Sequence, residues 1–256
     1  MREDTLVHAA TGVHLVHGSN TNWVILSEGD AVTLIDSGYP GDRRQVLDSL
    51  AAAGHSPEAV TAVLLTHAHA DHLGNAEYLS HTFGAPVYAH PAEVPHARRE
   101  FLHQVSIGRV LRNSWRPGVI PWAVHAVRSG GTADVRVSRP EPFPNEGALD
   151  LPGRPVPVHT PGHTAGHCAY HLPDAGIVIS GDGLVTGHPI SRTRGPQLLP
   201  TMFDTHRART RDSLHVIERL AADTLLPGHG PLHRGDVGEA ARTARVRATP
   251  GGRQAP

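Results

Sequence analysis

The sequence predicts an α/β fold. Three observations carry that reading: apolar runs of strand length alternate with segments of helical periodicity, turns rich in glycine and proline follow most of the runs, and the apolar runs stay far short of the roughly 20 residues a membrane span needs. The chain has 256 residues, 39% of them hydrophobic. A chain of that length can bury roughly three quarters of its unfolded surface as one domain.

Residues 13–16, 23–26 and 31–35 are short apolar runs broken by Asn20, Gly29 and Asp30, the pattern of antiparallel strands. Residues 41–53 place Val46, Leu47 and Leu50 on one helical face and stop at Gly54. A buried-type strand at 60–65 precedes a helix at 71–83, closed by Gly84, and a short strand at 86–89. In the second half, 156–159, 168–172 and 177–180 read as strands. Residues 205–222 read as a helix with Leu214, Ile217, Leu220 and Ala221 on its apolar side, and 224–226 as a last strand. Between the halves, 91–131 has no clean strand but holds Phe101, Val105, Val110, Trp115 and Trp122, so it is expected to be a helical insertion. The expected domain is 1–246, and the composition of 247–256 predicts a disordered tail.

Composition narrows the function. Lys+Arg 23 against Asp+Glu 24 leaves a formal charge of −1, which offers no electrostatic case for nucleic acid or an anionic membrane. Every basic residue is arginine, so a lysine Schiff base is excluded. The single cysteine, Cys168, excludes an internal disulfide and a multi-cysteine zinc ribbon, and its strand context suits a buried small hydrophobe. The first residues lack the apolar core of a secretory signal, so the expected compartment is the cytoplasm. The unusual count is 21 histidines, which raises the question of a metal.

The run Thr66-His67-Ala68-His69-Ala70-Asp71-His72 puts three histidines and a carboxylate within six residues, after a strand and before a helix. In an extended loop His67 and His69 can point at one ion. Asp71 and His72, at the turn into the helix, can face a second. Imidazole and carboxylate are zinc-type ligands. A capped helix start would account for Asp71 but not for the histidines around it. Three later turns each carry one ligand-type residue after a short apolar strand: His163 in Pro161-Gly162-His163, Asp182 in Gly181-Asp182-Gly183, and His229 in Pro227-Gly228-His229. Any one of these is weak; their order after the first cluster is a strong signal.

This series, His67-x-His69-x-Asp71-His72 followed by His163, Asp182 and His229, resembles that of the metallo-β-lactamase superfamily over roughly residues 12–235. The resemblance implies an αββα sandwich of two mixed β-sheets flanked by helices, with two divalent ions at the edge between the sheets. Zinc is expected, with iron or manganese as alternatives. By position it implies that His67, His69 and His163 hold one ion, Asp71, His72 and His229 the other, and Asp182 bridges them. Asp36, in Leu34-Ile35-Asp36-Ser37, fits the early aspartate that orients the loop from behind. The implied chemistry is hydrolysis by a hydroxide held between the ions, with Asp71 and Asp182 as the catalytic carboxylates.

Departures sharpen the reading. β-Lactamases of this superfamily carry cysteine or serine where this chain has Asp182, which argues against β-lactam hydrolysis. Only 27 residues follow His229, too few for the glutathione-binding domain of glyoxalase II. The motifs stay nearest the glyoxalase II-like, lactonase and thioesterase hydrolases. The expectation is therefore cleavage of an ester-type bond, thioester or lactone, in a small, partly apolar substrate. An iron oxygenase and a catalytically silent binding protein are the alternatives. The insertion is expected to roof the site. Arg109, Arg112 and Arg116, at i, i+3 and i+7, are expected to share a helical face toward an anionic group. Arg112, Trp115, His167 and His188 are the candidate substrate contacts.

Overall fold

Alternation within each strand decides which side chains meet. The computed structural model describes residues 5–144 and 146–249. Strands β1 (Leu6–Ala10), β2 (Val13–His17), β3 (Asn22–Glu28) and β4 (Ala31–Ile35) form an antiparallel meander; β5 (Val60–Leu64), β6 (Val87–Ala89) and β7 (Pro140–Pro142) continue it in parallel, giving a seven-stranded sheet. Strands β8 (Val156–His159), β9 (Cys168–Leu172), β10 (Ile177–Gly181), β11 (Thr224–Pro227) and β12 (His233–Arg234) form the second sheet, in which only β10 and β11 run parallel.

Because neighbouring strand residues point to opposite faces, each sheet serves two cores. Val24, Leu26, Ile35 and Leu64 face Tyr170, Ile177, Ile179 and Leu226 between the sheets. On the other side of the first sheet, Trp23, Ile25, Leu34 and Val63 pack on Val46 and Leu50 of helix α1 (Arg43–Ala52) and on Leu73, Ala76 and Leu79. These last three residues come from α2 (Ala70–Leu73) and α3 (Ala76–Phe83). Beyond the second sheet, Val178 and Leu225 pack on Leu214 and Ile217 of a late helix (Arg207–Ile217) and on Val237, Ala241 and Ala244 of the last one (Val237–Arg247). The layers are helix, sheet, sheet, helix, as expected.

The insertion holds three short helices: α4 (Val94–Ala97), α5 (Ile107–Arg112) and α6 (Val119–Arg128). The two late helices are thus α7 and α8. Val119 and Trp122 of α6 pack on Ile190 and Met202.

The structure corrects several sequence expectations. The helix expected at 71–83 is two helices. At the break, a Cβ on Gly74 would lie 2.3 Å from the Gly38 carbonyl oxygen, and the Asn75 amide bonds the carbonyls of Ser37 and Tyr39. The chain there is held to the loop after β4 rather than to its own helix. The helix expected at 205–222 spans only Arg207–Ile217. β1, β7, β12 and α8 lie outside the sequence expectations. α8 buries a stripe of alanines, which carries little apolar signal. Of the expected disordered tail, Arg247 ends α8 and residues 248–249 follow it; residues 250–256 lie outside the described residues.

Candidate metal centre

Strand direction gathers the candidate ligands. β4 and β5 are parallel, so Asp36 and His67, which follow them, emerge at one edge. β10 and β11 are parallel too, bringing Asp182 and His229 together. β8 is antiparallel to β9, which is antiparallel to β10, so the turn carrying His163 leaves at that same end. Ligand sites at the carboxyl ends of adjacent parallel strands are a general consequence of such geometry.

One atom each of His67, His69, His163 and Asp182 lies within 4.8 Å of the others, and Asp71, His72 and His229 form a second such group. His69 Nδ1 stands 3.0 Å from both His67 Nε2 and His163 Nε2. The two oxygens of Asp182 face different groups. Oδ2 lies 3.4 Å from His163 Nε2 and 3.8 Å from His67 Nε2, while Oδ1 lies 3.3 Å from both His72 Nε2 and His229 Nε2. Asp71 Oδ2 is 3.7 Å from His72 Nε2 and 3.6 Å from His229 Nε2.

Four of the five rings have a hydrogen-bond acceptor behind them, which assigns their tautomers. Asp36 Oδ2 takes the His72 Nδ1 proton at 2.8 Å and the Thr66 hydroxyl at 2.7 Å. With its proton so committed, the Thr66 oxygen accepts from His67 Nδ1 at 3.0 Å. His69 Nε2 donates to the His103 carbonyl at 2.6 Å and His229 Nδ1 to the Asn20 carbonyl at 2.5 Å. His163 Nδ1 lies 3.4 Å from Asp204 Oδ1, an ion-pair distance rather than a well-aligned bond. Four rings are thereby turned with lone pairs inward, and His163 Nε2 faces the same group. With the protons committed outward, no donor stands between the inward lone pairs, and a cation satisfies them together. His72 Nε2 and Asp182 Oδ1 are both buried without a hydrogen-bond partner, and such orphans cost about 1–3 kcal/mol each. The residues present therefore fit metal ions.

Electrostatics divide the rings into two pairs. Burial, with like charge on neighbouring rings, holds His67 and His69 well below the usual imidazole range. For His72 and His229, burial also acts downward but is outweighed by Asp182 and Asp71, which raise them. Burial would raise Asp182, but His229 and His72 hold it well below the carboxylate range.

The substrate candidates divide. His188 lines the cavity at the centre, its ring 5.0 Å from that of His229, and burial lowers its pKa to about 3. His167 does not reach the cavity: fully buried behind Asp182, its Nε2 accepts from the Asp182 and Gly183 amides at 3.1 Å. Its Nδ1 therefore donates to the Thr160 hydroxyl, and burial lowers its pKa to about 3. Arg112 is exposed and Trp115 is 80% exposed, both outside the central cavity. Helix α5 ends at Arg112, so the i+7 relation to Arg116 does not hold. Trp122 forms the aromatic wall instead, with Val105, Val110, Leu111 and Phe203 around a cavity of about 350 Å³.

Sequence reasoning missed Glu93, which is 1% exposed. Its Oε1 accepts from the Ala68 amide and from His96 Nδ1, while Oε2 accepts from the Thr164 hydroxyl and the Gly166 amide. One carboxylate thus ties the His67 loop to the His163 loop. Asp204, behind His163, was missed as well. Nothing in the spacing around either residue marks it; a run of strand, turn and histidine is visible in sequence, a tertiary bond is not.

Comparison with known proteins agrees. The description "Metallo-beta-lactamase superfamily" matches residues 17–229. Metallo-beta-lactamase domain-containing protein 1 of Xenopus laevis is 29% identical over 212 residues, covering 82% of this chain and 71% of that protein. The probable metallo-hydrolase YflN of Bacillus subtilis is 24% identical over 234 residues, covering 87% and 85%. Among solved structures, a metallo-beta-lactamase family protein of Thermus thermophilus superposes with a TM-score of 0.67 at 23% identity, covering 94% of this chain and 80% of that one.

Proposed function

Because this chain belongs to the metallo-β-lactamase superfamily, we propose that it is a hydrolase working with two divalent ions, zinc by preference, on a thioester or lactone with an apolar acyl part. The observation that carries this reading is Asp182, whose two oxygens face two separate groups of imidazoles. That division supports two ions over one, and a hydrolase over a mononuclear oxygenase.

His67, His69 and His163 would hold one ion and Asp71, His72 and His229 the other, with Asp182 shared. Bound there, the ions supply Lewis acidity and lower the pKa of a water toward roughly 7. The chain supplies the rest. The acceptors behind the rings keep the donors aimed without rearrangement. Asp71, with 18% of its side chain exposed, lines the cavity and is the carboxylate placed to steer a proton at the reacting atom. Trp122, Val110, Leu111 and Phe203 give an apolar wall that receives an acyl group and excludes water. The substrate is a small molecule. A cytoplasmic setting is part of the proposal: Cys168 is buried and unpaired, and no helix among the described residues is long and apolar enough to cross a membrane.

The test is metal analysis of purified, zinc-reconstituted protein together with a panel of thioesters, lactones and phosphodiesters. Two equivalents of metal and turnover of a thioester or lactone are expected. Protein that holds no transition metal, or holds iron and consumes oxygen, overturns the reading.

A further inference from the structure

A second cavity, of about 510 Å³, opens beside the insertion. Four arginines line it, Arg116, Arg192, Arg207 and Arg247, with no acidic residue among the described lining residues and the exposed ring of Trp115 among the walls. Among the described residues only Arg207 has a carboxylate partner, Asp204 Oδ2 at 2.7 Å. Arg207 Nη1 also donates to the Leu199 carbonyl, and Arg247 Nη1 to the Pro196 carbonyl at 2.9 Å, so two of the guanidiniums are anchored by one nitrogen. The side chains of Arg116 and Arg192 make no hydrogen bond or ion pair among the described residues.

Guanidiniums repel one another, so a cavity that collects four, three of them without a carboxylate partner among the described residues, while the chain as a whole carries −1, fits an anion. The planar fork of arginine matches phosphate oxygens two at a time. A flat ring beside such a cluster gives a stacking surface for a base. We propose that this cavity binds a nucleotide-type ligand, its diphosphate on the arginines and its base against Trp115. This site is distinct from the metal centre, although Leu199 lines both cavities.

The test uses zinc-loaded protein at about 50 mM salt, with ADP, inorganic pyrophosphate and adenosine as probes, read by calorimetry and by tryptophan fluorescence. ADP is expected to bind more tightly than about 1 mM, to quench fluorescence, and to weaken as salt rises. The double variant Arg116→Ala/Arg192→Ala, which removes no side-chain hydrogen bond or ion pair among the described residues, is expected to bind ADP at least tenfold more weakly. Trp115→Phe is expected to abolish the quench. Asp182→Asn, which disables the metal centre, is expected to bind ADP as the unaltered protein does. No ADP binding, or binding indifferent to the two arginines, overturns the proposal. Loss of binding in Asp182→Asn assigns the phosphates to the metal centre and overturns it too. Pyrophosphate binding as tightly as ADP removes the base and with it the nucleotide class. None of these measurements requires turnover, so their failure leaves the hydrolase reading standing, and the reverse holds as well.

Discussion

At the scale of single residues, the centre depends on donors turned inward by groups that never touch the reacting atoms. Asp182 sits so close beneath its neighbours that a Cβ on Gly228 would lie 2.5 Å from its Oδ1. Asp182→Asn keeps the volume and removes the charge that four imidazoles face. Bound metal and turnover are expected to fall together by about 100-fold or more while far-ultraviolet circular dichroism stays unchanged. Full activity in that variant would rule out the site. His167→Ala separates two roles for a residue whose ring lies behind Asp182. Metal affinity is expected to drop about 10–100-fold, with KM of the fully loaded enzyme unchanged. A raised KM at unchanged affinity would instead put His167 against substrate.

At the scale of elements, the two histidine loops are tied to each other by a segment outside both. Glu93, just before α4, holds both. Burial alone would raise its pKa, but His96, Thr164 and the Ala68 amide outweigh that and lower it. A carboxylate whose folded pKa is depressed stabilises the fold above its unfolded pKa of about 4.5, and that contribution is lost as pH falls through the folded value. Glu93→Gln is therefore expected to cost about 1–3 kcal/mol at pH 7 in denaturant titration, with the difference shrinking below about pH 4. A gap that persists at low pH would mean the charge is not what matters. The insertion makes its own prediction. Trp122→Ala should raise KM for an apolar thioester severalfold, whereas Ile120→Ala, 58% exposed on the same helix and off the cavity, should not. Equal effects would deny α6 a part in binding.

At the scale of the whole molecule, the candidate ligands come from both sheets, so binding a metal there would be linked to folding. The His67 loop and Asp36 follow strands of the first sheet; His163, Asp182 and His229 follow strands of the second. An ion held across that edge stabilises only the assembled sandwich. With free zinc 1,000-fold above its Kd, one site contributes about 4 kcal/mol, so dialysis against a chelator should lower Tm by roughly 8–16 °C. The shift should vanish in Asp182→Asn. An unchanged Tm in the native protein would place any metal outside this edge.

Much was legible before the structure. The alternation of strands, the His67–His72 run and the three Gly-turn residues were readable because strand period, turn chemistry and ligand type are local properties. So was the family resemblance they carry. What only tertiary structure decided is which groups stand behind those residues: Glu93, Asp204, and the carbonyls of His103 and Asn20. It also decided that Trp122, not Trp115, walls the cavity, and that His167 lies beneath Asp182. Such contacts join residues tens to hundreds of positions apart, and a backbone carbonyl has no sequence identity to read. They exist only once two sheets have packed face to face.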